Sequence, residues 1–124
     1  MLDEKRVRES KKRVEQWLTR GDIVKEKTGK FAPFFLKNAQ DSFNAAQLLY
    51  NVSTKPDLQK ATGFPNFNGF LWVINSSYYS MFYMVRALLE SSGVKIKTDY
   101  SVHMVTYDAF ITYFYATGKI EKQF

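Results

Sequence analysis

FLWVINSSYYSMFYMVRALLE, residues 70–90, carries only two charges, Arg86 and Glu90, in twenty-one positions. The spacing predicts a helix from about Gly69 to Glu90 that is apolar nearly all round, the pattern of a central helix packed on several sides. Its polar residues, Asn75, Ser76, Ser77 and Ser80, are small enough to admit a neighbouring helix closely. No residue from Ala61 to Val85 is charged, a length that could cross a bilayer. Insertion would place Asn66, Asn68, Asn75 and several serines at membrane depth, each needing a partner, so a buried core helix is the expectation and a membrane span is not.

Outward from that stretch, three more helices emerge. Val7, Val14, Trp17 and Leu18 recur at helical spacing between about Leu2 and Arg20 and form a narrow stripe, so this helix should lie on the domain, with Gly21 as its cap. Residues 22–31 read as a connector. Pro33 opens the second helix, a good first-turn residue because its missing N–H would be unpaired there anyway. Phe35, Ala39, Phe43, Ala46, Leu49 and Tyr50 line one face of it, and it should stop near Asn51–Ser53. Residues 53–68 hold Pro56, Gly63 and Pro65 and read as a long loop, with room for a short helical turn. The last helix starts near Ser101, carries Met104, Tyr107, Phe110, Ile111 and Phe114, and ends at Gly118. No strand stands out. The expected fold is all-α: an up-and-down antiparallel bundle of about four helices, with a basic N-terminal helix and connector (1–31) packed as one domain with a bundle over 32–124.

Composition narrows the function. The chain has 124 residues, no cysteine and one histidine, which removes disulfide scaffolds, zinc ribbons, thiol catalysis and His-rich metal sites. Apolar residues make up 45% and charged residues 24%, an ordinary balance for a folded globular domain. Aromatic residues reach 17%, a surplus that interfaces use well, so a homodimer is expected. No apolar leader stands at the start, which points to the cytoplasm. The net charge of +6 is concentrated in residues 1–30, where ten Lys/Arg face six Asp/Glu. Lys5, Arg6, Arg8, Lys11, Lys12 and Arg13 could neutralise phosphates; equally, Asp3, Glu4, Glu9 and Glu15 could pair with them along a solvated face. No phosphate loop, dinucleotide fingerprint, nucleophile elbow or paired Glu-x-x-His motif is present.

Single residues remain as candidates. His103, at the start of the last helix, is the one side chain that titrates near neutrality, and Arg86 could meet a phosphate or pair with Asp41 or Asp108. Tyr78, Tyr79, Phe82 and Tyr83 could stack on bases, or form core and interface.

Asn75-x-Ser77-Tyr78-Tyr79-Ser80-Met81-Phe82-Tyr83-x-x-Arg86-Ala87-Leu88-Leu89 resembles the central-helix signature of the HEPN domain family, in particular its small stand-alone archaeal and bacterial members. Ala39-x-Asp41-x-Phe43-x-x-Ala46-x-x-Leu49 is similar to that family's preceding helix. His103, Phe110, Phe114 and Gly118-Lys119-Ile120 match the spacing of its next one. The resemblance covers residues 33–121. It implies a helical bundle, commonly a homodimer, that works beside a small nucleotidyltransferase, often as half of a toxin–antitoxin pair, or binds nucleotide or RNA without a cofactor or metal.

Active members of that family carry an Arg, then four to six intervening residues, then a His. Here the positions five to seven residues before His103 are Thr98, Lys97 and Ile96, and Lys97 lacks the planar fork that grips two phosphate oxygens. The expectation is therefore a non-catalytic module, with Asn75, Ser77, Tyr79, Lys97 and His103 toward nucleotide or RNA and Tyr78, Phe82 and Tyr83 toward a second subunit or partner. The alternatives are a metal-independent ribonuclease toxin using His103 with Arg86 or Lys97, or an RNA-binding adaptor acting through the first helix.

Overall fold

A computed structural model describes residues 2–120. The described chain is predominantly α-helical, as expected, but it also holds a two-stranded sheet. In order it forms α1 (Glu4–Arg20), β1 (Ile23–Lys25), α2 (Ala32–Thr54), α3 (Pro56–Thr62), α4 (Phe70–Ser91), β2 (Val94–Ile96) and α5 (Val102–Phe110), which runs into a π-helical turn at Ile111–Tyr115. Contacts divide the chain into two compact units, one made of residues up to Ala32 and from Val85 onward, the other of Pro33–Met84.

In the first unit, the Asp3 carboxylate caps α1 by accepting the Arg6 N–H at 2.8 Å. Gly21, at φ 82°, ends the helix in the left-handed conformation that glycine adopts without strain. The chain then turns straight into β1, which pairs antiparallel with β2 through Ile23–Ile96, Val24–Lys95 and Lys25–Val94. Gly93 makes this sheet possible. It sits at φ 81°, its carbonyl accepts the Glu26 N–H at 2.8 Å, and a Cβ there would come within 2.9 Å of the Glu26 oxygen. Val14, Ile23, Leu89, Val94, Val105, Ala109 and Phe114 form the core of this unit.

One buried carboxylate ties α1 to α5. Asp108 is fully buried, accepts Ser10 Oγ at 2.8 Å and receives Arg13 in a two-pronged pair, Nε at 2.6 Å and Nη2 at 2.9 Å. The hydrogen bond to Asp108 raises the Arg13 pKa above its ordinary value. Near the other end the Leu2 N–H donates to the Tyr115 hydroxyl at 3.1 Å. These contacts, Leu2 to Tyr115 and Ser10 and Arg13 to Asp108, run in opposite directions along the chain, so α1 and α5 are antiparallel. The last helix does not continue as a single α-helix to Thr117. The Ala116 N–H reaches back five residues to the Ile111 carbonyl at 2.8 Å, and the widened turn buries Ile111, Phe114 and Tyr115 together.

The second unit is a hairpin of α2 and α4. Phe35 meets Tyr83, the Ser80 hydroxyl donates to the Ala39 carbonyl at 2.9 Å, and Tyr50 meets Phe70. Residue numbers rise on one helix as they fall on the other, which fixes the antiparallel register. The Ser53 hydroxyl closes the base, donating to the Leu49 carbonyl and accepting the Gly69 N–H at 2.8 Å. Part of the expected loop folds as α3, opened by Pro56 at its first turn. Gln59 Nε2 holds it, donating to the carbonyls of Ser53 and Phe67.

Two expectations are corrected here. Within the hairpin only small side chains are buried, Ala39, Ala46 and Val52 with Gly69, so α4 is not sheathed on several sides. Phe43 and Tyr50, expected to face inward on α2, are 52% and 53% exposed. Where Ser80 reaches Ala39 the helices meet through small side chains, and the larger ones beside them, Phe35, Leu49 and Tyr83, are only half-buried. No described helix is long and apolar enough to cross a membrane.

The Asp108 contacts predict an order of effects. Arg13→Ala strands a fully buried carboxylate and should cost about 3 kcal/mol, whereas Asp108→Asn keeps a group for Ser10 and leaves Arg13 free to reach water, costing about 1–2 kcal/mol. Urea unfolding midpoints at constant m-value would read the difference; equal losses would refute the assignment.

Candidate functional site

Several polar residues of α4 gather on one side of the hairpin. Asn75, Tyr79 and Tyr83 line a groove of about 740 Å³ together with Asp41, Ser42 and Ala45 of α2 and Trp72 and Ser76 of α4. Three aromatic rings, a carboxamide, two hydroxyls and a carboxylate therefore share one concavity. This mixture suits a flat polar ring: stacking on the aromatic faces, hydrogen bonds at the rim. The Asp41 carboxylate is held by Lys37 Nζ at 2.7 Å, one helical turn earlier. Ser77, named from the sequence beside Asn75, is not part of this lining.

Tyr78, Phe82, Tyr79 and Tyr83 form a continuous aromatic cluster around α4. Tyr78 stacks on Phe82 at 6.4 Å, Phe82 meets Tyr83 edge-on at 5.4 Å, and Tyr79 touches both Phe82 and Tyr83. Tyr78 and Tyr79 keep 46% and 43% of their surface in solvent.

The opposite side of the hairpin is apolar. Leu71, Ile74, Tyr78 and Met81 follow one another at intervals of three, four and three residues, the spacing of a helix-pairing seam. Leu71, Ile74 and Met81 are 65–67% exposed. On α2, Leu36, Phe43 and Tyr50 recur every seven residues along one line, all half-exposed or more, and Tyr50 lies against Phe70 at the start of α4. Of the residues named from the sequence for an interface, Tyr78 lies on this seam, while Leu71, Ile74 and Met81 were not singled out although their 3-4-3 spacing is legible in residues 71–81.

Arg86, Lys97 and His103 belong to the other unit. Arg86 is half-buried in the last turns of α4, and His103 is exposed in the first turn of α5. Lys97 follows β2 and its N–H donates to the Asp22 carbonyl at 2.8 Å, extending the strand pairing by one bond while its side chain is exposed. Among the described residues no group of three or more His, Asp or Glu could hold a metal ion. The expected ion pairs along α1 do not form. Asp3 caps the helix, and none of Glu4, Glu9 and Glu15 lies within 4 Å of a cation, so Lys5, Arg6, Arg8, Lys11 and Lys12 carry no ion-paired carboxylate among the described residues.

A buried ionic cluster, unseen in the sequence, supports the sheet. Lys95 Nζ lies 3.1 Å from Glu90 Oε1 and 3.5 Å from Glu26 Oε2, with the Lys95 and Glu90 side chains only 7% and 5% exposed. Glu90 also accepts the Phe31 N–H, and the Phe31 ring faces Lys95 at 5.2 Å. The hydrogen bond to Glu90 holds the Lys95 pKa above its ordinary 10.5, outweighing the opposing effect of burial.

Comparison with known protein families, with characterised proteins and with solved structures finds no match. Residue geometry and the HEPN resemblance are therefore what a functional reading rests on.

Because the folded pKa of Lys95 is raised, its contribution to stability is fully present below the unfolded value of 10.5 and fades as pH climbs through the higher folded value. Lys95→Met should lower the melting temperature at neutral pH, and the gap to wild type should narrow as pH climbs past 10.5 through the raised folded value. A gap that stays constant across this range would assign the loss to packing instead of charge.

Proposed function

We propose that this chain is a non-catalytic assembly module of HEPN type, whose α2–α4 hairpin is completed by the hairpin of a second copy into a four-helix bundle. The observation that carries the reading is the inverted packing of the hairpin. Fifteen of the twenty large apolar side chains exposed among the described residues lie in Pro33–Met84, over a core of alanine and valine. Half-exposed side chains of this size present on the order of 1,000 Å² of apolar surface, comparable with the ~800 Å² each partner buries in a standard interface.

Charge favours a second copy over a different protein. Residues 33–84 hold three lysines and two aspartates in fifty-two positions, leaving nothing for a charged partner to complement. An apolar seam that pairs with itself about a two-fold axis needs no such complement. The resemblance supports the same reading, since small HEPN proteins are commonly dimers, and the missing Arg before His103 supports a module without ribonuclease chemistry.

Sedimentation equilibrium at micromolar concentration should show a dimer. Ile74→Glu with Met81→Glu should raise the dimer Kd at least about 100-fold, near 3 kcal/mol, by burying charges without partners. A monomeric wild type would overturn the proposal, and a dimer indifferent to both substitutions would move the interface elsewhere.

A second reading is favoured by the unpaired cations of α1. Lys5, Arg8 and Lys12 lie on the face opposite the buried Ser10 and Val14, and could track the phosphates of single-stranded RNA. Three neutralised phosphates give a log–log salt slope near −2, so affinity should fall about 20-fold between 50 and 200 mM salt. Lys5→Gln with Lys12→Gln should flatten that slope; no salt dependence would dismiss this reading.

A further inference from the structure

Three lysines converge on a concavity that neither the hairpin nor α1 explains. It has a volume of about 260 Å³, room for about nine waters at ~30 Å³ each, and lies where the end of the sheet meets the π-helical turn. Lys25 comes from the end of β1, Lys27 from two residues later, and Lys119 from beyond Gly118. Lys25 Nζ stands 4.9 Å above the Tyr113 ring and Lys119 Nζ stands 5.6 Å above the Phe114 ring. Aromatic faces attract ammonium groups, so the two rings hold two of the charges in place before any ligand arrives.

None of the three lysines has a carboxylate within 4 Å among the described residues. One carboxylate does line the concavity, that of Glu26, but Lys95 engages it from the sheet. Three like charges gathered in one small space repel each other, and the one carboxylate at the rim, Glu26, is shared with Lys95 and offsets only part of that cost. Such an arrangement matches a compact ligand carrying at least two negative charges and several acceptor oxygens. A carboxylate, with one charge and two oxygens, would leave a lysine unanswered. A phosphate group answers all three, and lysine binds phosphate as a point charge without needing fixed geometry. The Ser92 hydroxyl at the same rim is a further donor.

We propose that Lys25, Lys27 and Lys119 form a phosphate-binding site that takes a phosphomonoester or diphosphate, supplied by a free nucleotide or by the 5′-phosphorylated end of a nucleic acid. The site lies wholly within the unit that contains β1, β2 and α5, so it stands or falls independently of hairpin assembly.

The full-length protein is titrated with inorganic pyrophosphate by calorimetry at low ionic strength, with sulfate as comparison. Saturable one-to-one binding, tighter for pyrophosphate than for sulfate, is expected. Lys25→Gln with Lys119→Gln should weaken it at least about tenfold, because two charge-assisted contacts to the ligand are lost. Both lysines belong to the rim and carry no ion pair, and an unchanged melting temperature would verify that the variant folds. Lys5→Gln with Lys12→Gln removes the same charge from α1 and should leave pyrophosphate affinity within about twofold. Equal losses in the two variants, or equal affinity for sulfate and pyrophosphate, would overturn the proposal by showing only a general positive field. ADP and a short oligoribonucleotide, with and without a 5′-phosphate, then distinguish the sources. Tighter binding of ADP than of pyrophosphate identifies a nucleotide, and a preference for the phosphorylated oligonucleotide identifies a nucleic-acid end. Binding of both no tighter than sulfate overturns the assignment.

Discussion

The contact between Ala39 and Ser80 sets the terms for the hairpin. Where the Ser80 hydroxyl reaches the Ala39 carbonyl the two helices meet through small side chains, and Phe35 and Tyr83, one turn away, are only half-buried. The aromatic and aliphatic residues that α2 and α4 expose divide between a polar groove and an apolar seam. A hairpin of this kind has secondary structure, register and a closed base, yet almost no core. Its hydrophobic effect is deferred to whatever covers the outside.

The other unit is organised by charge. Residues up to 32 and from 85 onward hold fifteen Lys/Arg against ten Asp/Glu, while residues 33–84 have a net charge of only +1. Arg13 is spent on Asp108 and Lys95 on Glu26 and the nearby Glu90, so that each joins segments far apart in sequence, while Arg20 pairs locally with Asp22. The remainder have few acidic partners, along α1 and around the concavity of Lys25, Lys27 and Lys119. One chain thus separates an exposed apolar surface from a basic one.

Much of the fold was legible because it is local. The helices of residues 4–20, 32–54 and 70–91 follow from apolar spacing, Gly21 and Pro33, and end within a few residues of their expected limits. The strands were not legible. Ile23–Lys25 and Val94–Ile96 are each three residues long, too short for alternation to show, and they exist because Gly93 lets one backbone lie against another. The inward placement of Phe43 and Tyr50 failed because helical spacing reports that a face is apolar, and not what covers it. The lysine concavity was invisible for a related reason: its three cations come from segments almost a hundred residues apart, with no motif linking them.

The alanine-lined core of the hairpin also sets how the molecule opens. Ala39, Ala46 and Val52 bury little surface compared with Val14, Ile23, Leu89 and Phe114, and it is α1 and α5 that the buried Asp108 ties together. Amide exchange in a lone chain is therefore uneven, fast along 33–84 and slow where α1 crosses α5. Since any occupant of the seam binds only the closed hairpin, protection there rises with the occupant's concentration. Were that occupant a second copy, as proposed, amide exchange along 33–84 would slow as the protein's own concentration rises.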